Sequence, residues 1–421
     1  MSATPDTSQP QNIVVGGKEL KAQLAKATRQ EKIKAFTLVL PLLAFILVMF
    51  ILPLADMMFR SVDNGPVAEL MPRTEKVLAD WDSGRPLTEE MFTAIAQDIR
   101  TAKATRSLGK ISTRLNFEQS GIRSLLSKTG RKLARIEQGP WKDHMLKIDK
   151  RWGQDETWAA FKHVMPPLTA IFYLNAADLT YDENGHITAQ DEQRAIYMDN
   201  LTKTLLISFG VTVACFVLGF PIAYLMSVLP TGKANLLMIC VLLPFWTSLL
   251  VRTTSWIVLL QTEGVVNDIF VWLGIISDEN RLTLIYNMFG TIVAMTHILL
   301  PFMVLPLYSV MKSIDPSYLR AARSLGANPV VAFVRVYMPQ TKPGIGAGAL
   351  LVFILAIGYY ITPALVGGRT GQMISNFIAY HMQQSLNWGL AAALAGILLL
   401  VVMVLYAIFN KLVGIDKLRL G

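Results

Sequence analysis

The sequence predicts an all-α membrane protein, with six transmembrane helices and a mainly helical insertion after the first. Three observations predict it. The chain has 421 residues, 52% of them hydrophobic and only 16% charged, with a mean hydropathy of +0.42, too apolar for a soluble protein of this length. The apolar residues gather in runs of about 20, the length that carries a helix across the hydrocarbon core. Lys and Arg, in turn, crowd the short connections between those runs.

Hydrocarbon offers no hydrogen-bond partners, so each spanning run must be helical to satisfy its own backbone. Six segments qualify: Ala35–Phe59, Leu205–Val228, Leu236–Leu260, Met288–Met311, Gly344–Pro363 and Leu390–Phe409. Arg252 interrupts the third. Residues 1–34 form a polar, Lys-rich segment, and the run after them is too long for a secretory signal, so it reads as an uncleaved first span.

Basic short loops set the orientation. Lys233 lies between the second and third spans, Lys312, Arg320, Arg323, Arg335 and Lys342 between the fourth and fifth, and Lys411, Lys417 and Arg419 after the last. Both termini are then cytoplasmic, and residues 60–200 form an extracytoplasmic insertion ahead of a transmembrane core over 201–421. The net charge of +9 belongs with loops that face anionic membrane lipid, and no nucleic-acid partner is expected.

Within the insertion, Phe92, Ile95 and Ile99 recur at helical spacing after a capping Thr88. Ile122, Leu125 and Leu126 do so after Asn116. His144, His163 and His186 lack metal-ligand spacing, and Cys215 and Cys240 fall inside apolar runs as packing residues, so no metal is expected. Gly232-Lys233 has no upstream glycine at the spacing of a phosphate-binding loop, and no nucleophile–base set is visible. The chain therefore reads as a non-enzyme with no cofactor of its own.

The cytoplasmic loop 312–343 is the most informative stretch. Asp315 can cap a helix, Pro316 is preset for its first position, and Gly326 can take the left-handed conformation that ends it. A second short helix is predicted from Pro329 to Val336. Locally, this pattern suits either a rigid docking element or a helix lying on lipid.

Ala321-Ala322, Gly326, Val336, Met338 and Pro339 resemble the EAA motif of ABC-importer permeases, with Arg320 in place of the motif glutamate. The segments Leu243–Thr253, Leu300–Tyr308 and Thr362–Gly368 resemble the spermidine/putrescine permeases. The resemblance implies the type I permease fold in a bacterial inner membrane. It also implies a second permease, two ATPase subunits holding ATP and Mg, and an extracytoplasmic solute-binding protein. Arg320, Ala321, Ala322, Gly326 and Pro339 would couple the chain to the ATPases.

The implied cargo is a polyamine, with opines or amino-acid-like solutes as the alternative. An ion-gradient-driven transporter would need ionisable residues in the spans, and no Asp or Glu occurs in their cores. Pro244 and Pro363 interrupt predicted spans and are candidate path-lining points, or else simple kinks. Trp246, Trp256, Tyr359 and Tyr360 could present aromatic faces to a cationic cargo, with the hydroxyls of Thr247 and Ser248 beside Trp246, although Trp and Tyr also form interfacial belts. His297 is a candidate because an imidazole is costly to bury in a span, and a packed neutral imidazole is its alternative. Arg252 is expected to be structural, since its charge would repel a polyamine.

Overall fold

The computed structural model describes residues 17–182 and 184–413. Residues 1–16 of the polar N-terminal segment, and Lys417 and Arg419 of the basic tail, lie outside the described residues. The chain divides into two units, Met1–Phe59 and Arg60–Gly421. The first holds a long helix, spanning Ala25–Arg60 with a π-helical turn at Leu47–Ile51, so the first span is longer than its apolar run.

In the second unit, Tyr197–Val228, Met288–Ser313 and Trp388–Lys411 are each long and apolar enough to cross a membrane. Two bent pairs complete the set: Thr231–Trp246 with Leu249–Trp272, bent by 98°, and Pro329–Gln340 with Lys342–Gly358, bent by 59°. With each pair taken as one span, the described residues carry six. The third predicted span, Leu236–Leu260, is thus corrected to two helices meeting at a sharp break.

The second, fourth and fifth spans share one core, where Val211, Cys215 and Met226 meet Leu299, Met303 and Leu307, together with Val352 and Ala356. Without a hydrophobic force between helices in lipid, close approach depends on small residues. Met303 lies between two of them. A Cβ at Gly219 would stand 3.1 Å from its Cγ, and one at Gly348 2.8 Å from its Sδ. Gly344 faces the same helix, where a Cβ would stand 3.1 Å from the Pro306 carbonyl oxygen. Pro301 and Pro306 sit inside the fourth span, which runs unbroken through both.

The inserted domain has a core of its own. Trp152 packs 5.9 Å from both Trp158 and Phe161, and Phe92 meets Trp158 edge to face at 5.0 Å. Both indole N–H groups are satisfied inside, Trp152 donating to Thr129 Oγ1 and Trp158 to the Trp152 carbonyl, each at 2.9 Å. Thr88 caps the helix Glu89–Ala104, as expected. The next predicted cap is corrected. Gly121, at φ +90°, stands at the N-terminus of Ile122–Leu133, while Asn116 reaches it from the preceding helix by accepting from the Gly121 N–H. A hairpin pairing Leu179–Tyr181 with Ile187–Ala189 is an element that helical periodicity did not predict.

The helix Ile171–Ala176 ties this domain to the last span, where the Phe172 ring lies 2.5 Å from the place a Cβ would take on Gly389.

Asp149 accepts from Arg151 Nε and Lys128 Nζ, each at 3.1 Å, and the Arg151 hydrogen bonds hold its carboxyl well below the usual carboxylate range. A carboxyl depressed in the folded state stabilises above its unfolded pKa, and that contribution is lost as pH falls through the folded value. Asp149→Asn is therefore expected to lower the melting temperature at neutral pH. The gap to wild type should close as the solution is acidified, which thermal unfolding of the detergent-solubilised chain would measure.

Candidate functional site

Two breaks in the spans and one loop carry the candidate residues. At the first break the helix Thr231–Leu242 tightens into a 3₁₀ turn, Leu243–Trp246, with Pro244 at its start, and the chain runs extended through Thr247 and Ser248. Backbone freed at membrane depth must find partners, and here nearby polar groups supply them. Thr247 donates from both its N–H and Oγ1 to the Pro244 carbonyl, at 3.3 and 3.0 Å. Ser248 caps the next helix by accepting from the Val251 N–H at 3.2 Å, and Arg252 Nη2 donates to the Thr247 carbonyl at 3.2 Å.

The second break falls at Tyr359-Tyr360, after the helix Lys342–Gly358 ends and before Ile361–Val366 begins. This corrects the sequence reading. Pro363 lies in the first turn of the new helix, where a missing N–H costs nothing, so the span is interrupted ahead of it. The exposed carbonyls are held by the helix Ile374–Gln383: Ser375 Oγ donates to Tyr359 O at 2.5 Å, and Asn376 Nδ2 to Tyr360 O at 2.7 Å.

Side chains connect the two breaks. Thr253 Oγ1 lies 3.3 Å from Thr362 Oγ1, and Trp256 Nε1 donates to His297 Nδ1 at 3.1 Å, which assigns the imidazole proton to Nε2. Of the predicted residues, the structure thus sets Thr247 against Arg252, with Ser248 one turn before it, and His297 against Trp256, while Tyr359 and Tyr360 stand at the second break. Trp246 stands apart, 72% exposed, while Pro244 and Pro363 are buried. Ser375, Asn376, Thr253 and Thr362 escaped sequence reasoning. The hydroxyl run Thr253-Thr254-Ser255 in an apolar stretch was a signal for the first threonine, but nothing local marked Thr362, Ser375 and Asn376.

The first part of the loop between the fourth and fifth spans forms the short helix its sequence suggests, with Pro316 at the N-cap rather than the first helical position. A helix spans Ser317–Ser324, with Asp315 Oδ1 accepting from the Ser317 N–H at 2.7 Å. It ends at Gly326, at φ +90°, where the Ala327 N–H reaches back to the Ala322 carbonyl at 3.1 Å. The second helical stretch is broken up, as Pro329–Ala332 followed by a π turn over Phe333–Tyr337.

Two rings anchor this turn to the second span. Phe333 and Tyr337 stack on each other and meet Tyr224 edge to face at 5.3 and 5.5 Å. The opposite side of the loop is open: Tyr318, Leu325 and Val330 are exposed, as are Arg320, Ala321, Gly326 and Pro339, with Ala322 half-buried.

Residues 202–414 match the family model for the binding-protein-dependent transport system inner membrane component. The spermidine/putrescine transport system permease protein PotB of Escherichia coli (strain K12) is 35% identical over 228 residues, covering 52% of this chain and 82% of the relative. PotB of Haemophilus influenzae is 35% identical over 222 residues, 52% of this chain and 77% of that one. Among solved structures, a bacterial ABC transporter involved in the import of the acidic polysaccharide alginate is 20% identical, covering 55% of this chain and 81% of that chain, with a TM-score of 0.43. Six apolar spans, the EAA-type loop, the family model and the PotB identities make the chain a member of the inner-membrane permeases of binding-protein-dependent ABC importers, on their spermidine/putrescine branch.

Proposed function

We propose that this permease imports a polyamine, working with a second permease, two ATPase subunits that bind ATP and Mg, and an extracytoplasmic solute-binding protein. The observation that carries this reading is the 35% identity to a spermidine/putrescine permease across 82% of its length. Both termini and the loop 312–343 are placed in the cytoplasm, and residues 60–200 outside, in keeping with the basic loops.

The exposed Tyr318, Arg320, Leu325 and Val330 then form the surface that docks on an ATPase, with Ala321 and Ala322 allowing close approach. Phe333 and Tyr337 give that surface a rigid connection to the second span. Movement of the ATPases would reach the spans through these rings and open the path at the two breaks. Thr247, Ser248, His297, Tyr359 and Tyr360 are assigned to that path. Arg252 braces the first break through the Thr247 carbonyl and keeps the structural role its charge suggests.

Proteoliposomes holding the complete importer, with ATP inside and the binding protein outside, test the assignment with labelled putrescine and spermidine. ATP-dependent uptake is the expected result. Uptake that follows an imposed ion gradient and ignores ATP would remove it. Phe333→Ala is expected to cut uptake several-fold while ATP hydrolysis persists, because the docking surface remains and its anchor is lost. Hydrolysis and uptake falling in equal proportion would show that the ring does not transmit movement.

A further inference from the structure

A cavity of about 410 Å³ lies between the start of the second span, the short helix Ile361–Val366 and the helix Ile374–Gln383. Its size is that of a small-molecule site. The rings of Tyr197, Tyr360, Phe377 and Tyr380 line it, and Gln372 and Gln384 add amide groups. Among the described residues, no Asp, Glu, Lys or Arg lines it. The cavity sits at the end of the bundle that carries the inserted domain, because Tyr197 and Ile374 share a core with Ile171 and Phe172.

The aromatic wall is held in place. Tyr197 and Phe377 meet edge to face at 6.0 Å, and Tyr380 and His381 at 5.2 Å. His381 engages Tyr197 OH through Nε2 at 2.9 Å and Ser385 Oγ through Nδ1 at 2.8 Å. Burial lowers the proton affinity of its imidazole, so the wall stays uncharged at neutral pH. Ring faces and amide oxygens are electron-rich, which suits a cation that can shed its water and repels none. The second break lies alongside, since Asn376 on the wall holds the Tyr360 carbonyl.

We propose that this cavity receives a primary alkylammonium group of the cargo over the faces of Tyr360 and Tyr380 before it passes to the adjacent break. The assignment rests on the polyamine reading above. Tyr360 and Tyr380 are 39% and 48% exposed, so their replacement tests binding without emptying a core.

Putrescine binding to the full chain in lipid nanodiscs would be measured by calorimetry, comparing Tyr380→Leu with Tyr380→Phe, and putrescine with 1,4-butanediol. The cation–π contribution predicts a loss of affinity of about three- to thirty-fold for leucine and little change for phenylalanine, with the uncharged diol failing to compete. Equal affinity for the leucine variant, or a diol that competes as well as the diamine, would overturn the assignment, as would a wild-type chain that binds no putrescine. Uptake by the complete importer separates the two readings. Putrescine import with an unchanged KM in Tyr380→Leu ends the cavity assignment and leaves the importer standing. A wild-type importer that moves no diamine ends both.

Discussion

Gly326→Val is expected to reduce ATP-dependent uptake about ten-fold or more while leaving the permease folded. A Cβ at this glycine would meet nothing within 4 Å, so the cost is one of backbone conformation alone. Its φ of +90° ends the helix Ser317–Ser324 and turns the chain toward Asn328. A non-glycine residue there pays roughly 1–2 kcal/mol, and a β-branched one pays the most. The exposed loop can escape that strain by abandoning the turn, which misplaces the proposed docking surface relative to the Phe333–Tyr337 anchor. Asparagine tolerates the left-handed region better, so Gly326→Asn should retain more uptake than the valine variant. Equal uptake in wild type and both variants would show that the helix end is not part of the coupling element.

Gly368→Ala is expected to act on the fold itself. Here the backbone is left-handed, at φ +52°, and a Cβ would lie 2.2 Å from the Tyr286 carbonyl oxygen and 2.7 Å from its carbon. Both are main-chain atoms, and Tyr286 is itself held at φ +59°, so neither segment can yield cheaply. Overpacking of this kind costs about 1–3 kcal/mol, to which the backbone conformation adds roughly 1–2 kcal/mol. A lower melting temperature of the purified chain is the expected reading, with reduced yield of the assembled importer. A melting temperature equal to that of wild type would mean that the loops at 284–287 and 366–371 are free to part.

The two glycines differ in what made them legible. Gly326 stands where a helix-ending glycine belongs, after a capping Asp315 and a proline, so its role follows from neighbours within a dozen residues. Gly368 was visible only as part of a segment resembling known permeases. Its reason is the Tyr286 carbonyl, 82 positions away in the chain (368 − 286), which no local pattern encodes.

The same division runs through the candidate path. Pro244 correctly marked the first break, because proline removes a backbone donor wherever it stands. Pro363 marked the second break a few residues late. The actual interruption at Tyr359-Tyr360 is possible because Ser375 and Asn376 arrive from another helix to satisfy the freed carbonyls. Nor did hydropathy distinguish a straight third span from two helices bent by 98°, since it counts apolar residues and carries no direction.

By itself, the sequence determined the fold class, the number of spans, the basic loops, the helical character of the insertion and the short helix of the loop 312–343. Each of these depends on composition or on contacts between residues a few positions apart, the range over which helical periodicity and capping operate. Only the tertiary structure decided that Trp256 meets His297 and Thr253 meets Thr362, that Phe333 and Tyr337 hold the loop 312–343 to the second span, and that Tyr197 and Tyr380 close a common cavity. Those pairings join segments far apart in the chain, and in lipid they are chosen by close packing and by the need to satisfy polar groups rather than by hydropathy, which is nearly uniform along the spans.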